Sequence, residues 1–434
     1  MTGSASGGDA PQSADPPRDP RDFRAYVRAW LHHHLRREDR GPITGSDRDV
    51  ARHRILQRQL FDGGLAGLTY PVAYGGKGRA PAFQDILNEE TVGYELPTLC
   101  NVTLGILGPT ILEFGTEAQR QRYLPAILRG EQLWVQLLSE PSGGSDLAGC
   151  VTRATRDGEQ WILNGSKIWS TGAHFSDYAL CLARSNWSLP KHRGLTMCIL
   201  RLDQPGIGIE PIMQANGDAE FCQEFLTDLR IDGDDILGAE NAGWEVASRL
   251  LYHERNLAGA ASPYTYGLVA EGTPVAPTPD ELAEMARSWG TSHDDRVRAV
   301  VAEARALDTI QALLVDRIGR GVATGVLQPT AVSLLRLFEI TKVLHCSDAG
   351  LEVAGPGMVS WSASAGATGA PGSSGSWGGK FLMRQSAALA GGSIEMQRNI
   401  ISERVLGLPR ELAPDAGVPF DSVPHNVAAG RAGP

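Results

Sequence analysis

The sequence predicts an α+β, multidomain chain: an all-helical N-terminal domain, a middle β domain (a small barrel or sandwich) and a C-terminal helical bundle. Apolar residues recur at three- and four-residue intervals before about residue 132 and again from Gly243, whereas strand-like runs fill the stretch between. No βαβ alternation is present, which argues against a Rossmann fold. The length of 434 residues agrees, because about 150 residues per domain implies roughly three units.

Residues 1–21 have no apolar core of a secretory signal and read as a disordered tail. The helical domain spans 22–132. Its first helix, Asp22 to Leu35, places Phe23, Tyr26, Val27, Trp30 and Leu31 on one face. His32, His33 and His34 follow in a row and diverge around the helix, so they read as a solvated end rather than a metal site. Thr116-x-x-Gln119 is a capping box, and Gly130 ends the apolar stripe of Tyr123, Leu124, Ile127 and Leu128.

The β domain spans 133–236. It opens with Trp134 to Leu138, and runs at Tyr178 to Ala183, Leu195 to Leu202 and Phe221 to Ile231 continue the pattern. Asn164-Gly165, between Trp161-Ile-Leu163 and Lys167-Ile-Trp169, predicts a hairpin with a type I′ turn. The C-terminal domain spans 237–410, with helices near 243–257, 293–320, 328–353 and 393–406. The Pro-rich segment 273–279 interrupts the helices, 360–379 reads as a flexible Gly/Ser loop, and 411–434 as a loose tail.

Apolar residues at 42% and charged residues at 21% suit a well-cored chain. A net charge of −10 argues against nucleic-acid or anionic-membrane binding, and no apolar run is long enough to cross a bilayer. The six cysteines form no CxxC pair and read as small buried residues in a reducing cytosol. Ser374 to Lys380 lacks the first Gly of a phosphate loop, and Gly319 to Gly325 has the wrong spacing for a dinucleotide fingerprint. GxSxG, HExxH and EF-hand patterns are absent.

Glu140-Pro-Ser-Gly-Gly-Ser-Asp146 directly follows a strand. Taken alone it is either a plain turn or a nest of backbone N–H groups for an anion or a polar ring edge. With its neighbours it gains meaning. Leu138 to Asp146, Asn164 to Thr171, Gly67 to Gly78, Gly115 to Glu131 and Gly391 to Arg410 together resemble, in order and spacing, the acyl-CoA dehydrogenase family over about residues 22–410. The resemblance implies a C-terminal four-helix bundle and FAD between the β domain and the bundle. It also implies a homo- or hetero-oligomer, an acyl-CoA or acyl-carrier thioester substrate, and an electron-transfer flavoprotein as acceptor.

Carried over by position, Leu138 and Ser139 meet the flavin ring, and Gly144 and Ser145 lie near the pyrophosphate and the acyl-CoA. Trp169 packs at the flavin and Thr171 lies near its N5. Ser393 and Glu395 are further cofactor-binding positions, and Arg255 a substrate-binding one. Without the family context Trp169 would read equally well as a core aromatic.

Many members carry the catalytic Glu just before the C-terminal Gly-Thr/Ser run, where this chain has Gly391. In a second arrangement the Glu immediately precedes an Arg on the first helix of the C-terminal bundle, as in His253-Glu254-Arg255. The resemblance therefore implies that Glu254 is the base, while the Gly391 N–H still holds the thioester oxygen. The competing reading pairs Glu254 with Arg249 or Arg255. A carboxylate continuing the apolar stripe of Leu250, Leu251 and Leu257 argues for the base. Gln136 replaces a common aromatic, and the elements that reach a neighbouring subunit's FAD are altered, as in Leu351 to Gly357. A flavin oxidase or monooxygenase of the same fold, or a weakly active partner in a mixed tetramer, remain alternatives.

Overall fold

The structure, a computed structural model, describes residues 15–37, 45–258, 262–266, 276–355, 377–389 and 392–424. They form two compact units. The first comprises the chain up to Ile212, Glu220–Glu271 and the segment from Asp415; the second comprises Met213–Ala219 and Gly272–Pro414.

The first unit begins with five helices: α1 (Pro20–His34), α2 (Asp47–Asp62), α3 (Pro81–Glu90), α4 (Gly108–Phe114) and α5 (Glu117–Leu128). Asp19 caps α1 by accepting from the Arg21 and Asp22 N–H groups, so the helix begins at Pro20, two residues ahead of the predicted start. At α5 the capping box is present in both directions, Thr116 Oγ1 accepting from Gln119 N and Gln119 Oε1 from Thr116 N. Phe23, Val27, Trp30 and Leu31 of α1 are buried as the periodicity predicts, and His32 to His34 are exposed.

One eight-stranded sheet follows: β1 (Trp134–Leu137), β2 (Arg153–Asp157), β3 (Gln160–Thr171), β4 (Tyr178–Arg184), β5 (Leu195–Arg201), β6 (Ile207–Pro211), β7 (Phe221–Asp232) and β8 (Ile236–Leu237). The order is β6-β7-β3-β2-β4-β5-β8, with β1 paired parallel to β4. Asn164-Gly165 is not a hairpin turn. β3 runs straight through it, and the β2–β3 hairpin turns at Gly158 instead. The reason is the partner strand. Asn164 exchanges hydrogen bonds with Asp228 of β7, its Oδ1 accepting from Asp228 N at 2.9 Å, and the pair forms a bulge. A Cβ on Gly165 would stand 2.8 Å from Thr152 Cα, so glycine is required by close approach.

Helix α6 (Gly243–Ala258) belongs to the first unit rather than to the later helices. Its Val246, Ala247 and Leu250 share a core with Leu195, Met197 and Leu237 of the sheet. The segment from Asp415, predicted as loose tail, also packs in this unit, and its Phe420 is buried. The second unit holds α7 (Pro279–Ser288), α8 (Asp295–Ala323), α9 (Val332–Ala354), α10 (Trp377–Met383) and α11 (Ile394–Ile400), with a π turn after α11. Leu282, Met285, Ala304, Cys346 and Val353 form its core. The predicted loop 360–379 lies mostly outside the described residues, but α10 begins within it.

All six cysteines are free and buried. Among the described residues no helix is long and apolar enough to cross a membrane, and no three His, Cys, Asp or Glu side chains gather as a metal site. Gly165→Ala should destabilise the protein by about 1–3 kcal/mol through overpacking against Thr152, just before β2. A denaturant titration showing an unchanged midpoint would contradict this account of the bulge.

Candidate active site

The Gly/Ser turn after β1 is anchored from beneath by a buried ion pair. Lys167 Nζ lies 2.8 Å from Glu140 Oε1 and 3.0 Å from the Leu138 carbonyl. The Glu140 carboxylate also accepts from the Val151 and Thr152 N–H groups at 2.7 and 2.8 Å. Burial opposes its charge, but the Lys167 ammonium and these donors outweigh burial and hold the carboxyl down at about 2. The ends of the turn are thus fixed while Ser142, Gly144, Ser145 and Asp146 stand exposed at its tip.

β3 presents the next residues. Ile168 N–H donates to the Ser139 carbonyl at 3.0 Å, joining the turn to this strand. Register against β7 then jumps from Ile168–Gln223 to Ser170–Cys222, so Trp169 is pushed out of the ladder. Its φ is +67°, a left-handed conformation uncommon for a bulky side chain, and its indole is 56% exposed. Trp169 is therefore not a core aromatic. Its neighbour Thr171 is exposed and Ser139 half-buried, so an indole face and two hydroxyls are presented along these two elements.

Behind them, Ser170 Oγ makes a short hydrogen bond to Glu224 Oε1, while Glu224 Oε2 has no partner among the described residues. Glu224 is fully buried, and desolvation pushes it up to about 7 against the pull of Ser170 and Lys167.

Glu254 lies on α6, half-buried, with Gln136 Nε2 of β1 donating to its Oε2 at 2.9 Å. Desolvation raises its pKa, partly offset by Arg255 and the Gln136 amide. It makes no ion pair among the described residues. Arg249 instead pairs with Glu113 of α4 at 2.5 Å, His253 Nε2 lies 3.1 Å from the same carboxylate, and Arg255 is exposed. The helix is thus clamped through Arg249 and His253, while Glu254, among the described residues, is hydrogen-bonded by the Gln136 amide alone.

Leu138, Ser139, Gly144, Ser145, Trp169, Thr171, Glu254 and Arg255 all fall in the first unit, where Ile168 ties β3 to the Ser139 turn and Gln136 ties β1 to Glu254. Gly391 lies outside the described residues. Ser393 and Glu395 lie in the second unit, where Ser393 caps α11 by accepting from Met396 N and Glu395 is exposed in its first turn. Sequence reasoning missed Glu140 and Lys167 as the anchor. It noted Gln136 only as a departure, although a polar residue inside the apolar run Trp134 to Leu138 was the available signal.

Residues 17–131 match the model of the acyl-CoA dehydrogenase N-terminal domain, and residues 136–228 that of the middle domain. The acyl-CoA dehydrogenase IpdE1 of Mycobacterium tuberculosis is 34% identical over 400 residues, covering 91% of this chain and 99% of that protein. This chain belongs to the acyl-CoA dehydrogenase family. The solved "Tcur3481-Tcur3483 steroid ACAD" superposes on this acyl-CoA dehydrogenase with a TM-score of 0.71 at 25% identity, covering 93% of this chain and all of that one. The ChsE4-ChsE5 complex of Mycobacterium tuberculosis shares the fold, with a TM-score of 0.66 at 24% identity and coverage of 91% and 99%.

Two predictions follow from the buried charges. Lys167→Met should cost about 3–5 kcal/mol, because it strands Glu140 without a counter-charge. A loss under 1 kcal/mol in urea unfolding would refute the anchor. Glu224 titrates near 7 when folded, above the ordinary carboxyl value of 4.5. The folded state thus holds this proton more tightly. Its contribution to stability is complete below pH 4.5 and declines as pH rises toward 7. Glu224→Gln should gain stability on the parent between pH 5 and 8, by up to roughly 3 kcal/mol. Parallel pH profiles for the two proteins would rule this out.

Proposed function

We propose that this acyl-CoA dehydrogenase oxidises an acyl-CoA, or acyl-carrier, thioester to its 2,3-enoyl thioester, with FAD as cofactor and Glu254 as the base. The residues present fit that cofactor. A kinked backbone holds an uncovered indole at Trp169, and a flat ring stacked there would remove its apolar face from water. The hydroxyls of Ser139 and Thr171 suit polar ring edges, and the exposed tip at Gly144 and Ser145 suits a pyrophosphate or the thioester's CoA portion. Bound there, FAD supplies a hydride acceptor.

The chain's own part is the proton. An α-hydrogen beside a thioester is only weakly acidic, so an ordinary solvated carboxylate removes it slowly. Glu254 is already partly desolvated and raised, and substrate entry would expel more water and strengthen it as a base. The Gln136 amide binds one carboxylate oxygen and, with the charge of Arg255, stabilises the ionised form without a close ion pair that would quench it. The observation that carries this reading is Glu254 itself, which no arginine or lysine among the described residues pairs with while Glu113 occupies Arg249. Arg255, exposed beside it, is the substrate-facing cation in this reading.

The acceptor is an electron-transfer flavoprotein, and the working form is an oligomer of this chain or of this chain with a related one, as the ChsE4-ChsE5 complex is for its own subunits. The steroid relative places steroid-derived acyl thioesters beside straight-chain ones in the panel to be tried. Glu254→Gln should retain FAD yet slow anaerobic flavin bleaching by about 10²–10⁴-fold. Bleaching within twofold of the parent rate would remove Glu254 as the base.

A further inference from the structure

The turn bearing Ser145 has a second anchor, and the C-terminal segment completes it. Arg184, at the end of β4, is fully buried. Its Nε donates to the Cys150 carbonyl at 3.0 Å, and its Nη2 donates to the carbonyls of Ala148 at 2.6 Å and Lys191 at 3.1 Å. No carboxylate pairs with it among the described residues, and burial pulls the guanidinium down to about 10, still charged at neutral pH. What covers it is Phe420, whose ring centroid lies 3.5 Å from the guanidinium carbon.

The segment around Phe420 lies in a defined register. Phe420 N–H donates to the Leu189 carbonyl and Asp421 N–H to the Trp187 carbonyl, each at 3.0 Å, and the Trp187 and Phe420 rings lie 5.5 Å apart. A second tie runs through Lys191, whose ammonium bridges Asp415 at 3.4 Å and Asp146, at the tip of the turn, at 3.0 Å. The buried Arg184 thus grips the far end of the turn, the half-buried Lys191 bridges its tip, and residues from Asp415 to Asp421 touch both.

We propose that residues 415–421 form a strap that positions the Gly144–Ser145 turn for the CoA portion of the thioester. The inference rests on the reading that Ser145 contacts the substrate. With Phe420 in place, Arg184 is shielded from water, which would otherwise compete for the guanidinium that holds the Ala148 and Cys150 carbonyls. Without the strap, Lys167 and Glu140 still hold the start of the turn and the segment from Val151, while the stretch between them, at Ala148 and Cys150, loosens. Phe420 and Asp415 are positioning residues, acting through Arg184 and Lys191.

The test compares the FAD-loaded full chain with Phe420→Ala and with a chain ending at Pro414, each checked for fold by circular dichroism. Amide hydrogen exchange over residues 142–149 should speed at least tenfold in both variants. The KM for an acyl-CoA should rise at least fivefold, with kcat and FAD content within twofold of the parent. Unchanged exchange in Phe420→Ala overturns the strap whatever the activity does. Faster exchange with an unchanged KM overturns its positioning role. Ser145→Ala, measured alongside, separates the two readings: if its KM is unchanged the substrate contact at Ser145 falls, while exchange still reports on the strap.

Discussion

The pairing of Lys167 with Glu140 inside the sheet is the constraint from which the site follows. An ammonium and a carboxylate removed from water are tolerated only when their remaining hydrogen-bonding positions are filled, and here two backbone N–H groups and a carbonyl fill them. Because those backbone groups belong to the start of the Gly/Ser turn and to the segment that follows it, satisfying the pair fixes both. An exposed, glycine-rich tip can then stand on a rigid base. Flexible residues supply the contact surface and buried charges supply the precision.

The same division of labour governs Trp169 and Glu254. Trp169 holds a left-handed backbone because Ser170, next to it, is tied to a buried carboxyl on β7 while the ladder skips a residue. The strain is local and the restraint lies in the neighbouring strand. Glu254 is the converse case, a carboxyl with no ion-pair partner among the described residues, on a helix where Glu113 engages Arg249 and His253 and only the neighbouring Arg255 offsets the cost of its charge. A carboxyl so placed has its proton affinity raised, the property on which the proposed abstraction of a weakly acidic proton draws.

Much of the fold was legible because local periodicity carries it. The first helix, the capping box at Thr116, the strand runs from Trp134 to Ile231 and the long helices after Asp295 all follow from residues within four positions of one another. The resemblance of ordered motifs added the family and the place of Glu254. The reading failed where the deciding partner was remote in sequence. Asn164-Gly165 has the composition of a hairpin turn, but Asp228 turned it into a bulge.

By itself, then, the sequence determined the order of helices and strands, the family, and the candidacy of Glu254, since periodicity and motif spacing are properties of neighbouring residues. Tertiary structure alone decided which buried charges meet. Lys167 with Glu140, Gln136 with Glu254, and Phe420 over Arg184 each join residues that no local pattern links. It also decided that α6 and the segment from Asp415 pack with the sheet rather than with the later helices. The physical reason is that burying a charge is costly until its partner arrives, and only the folded chain supplies that partner.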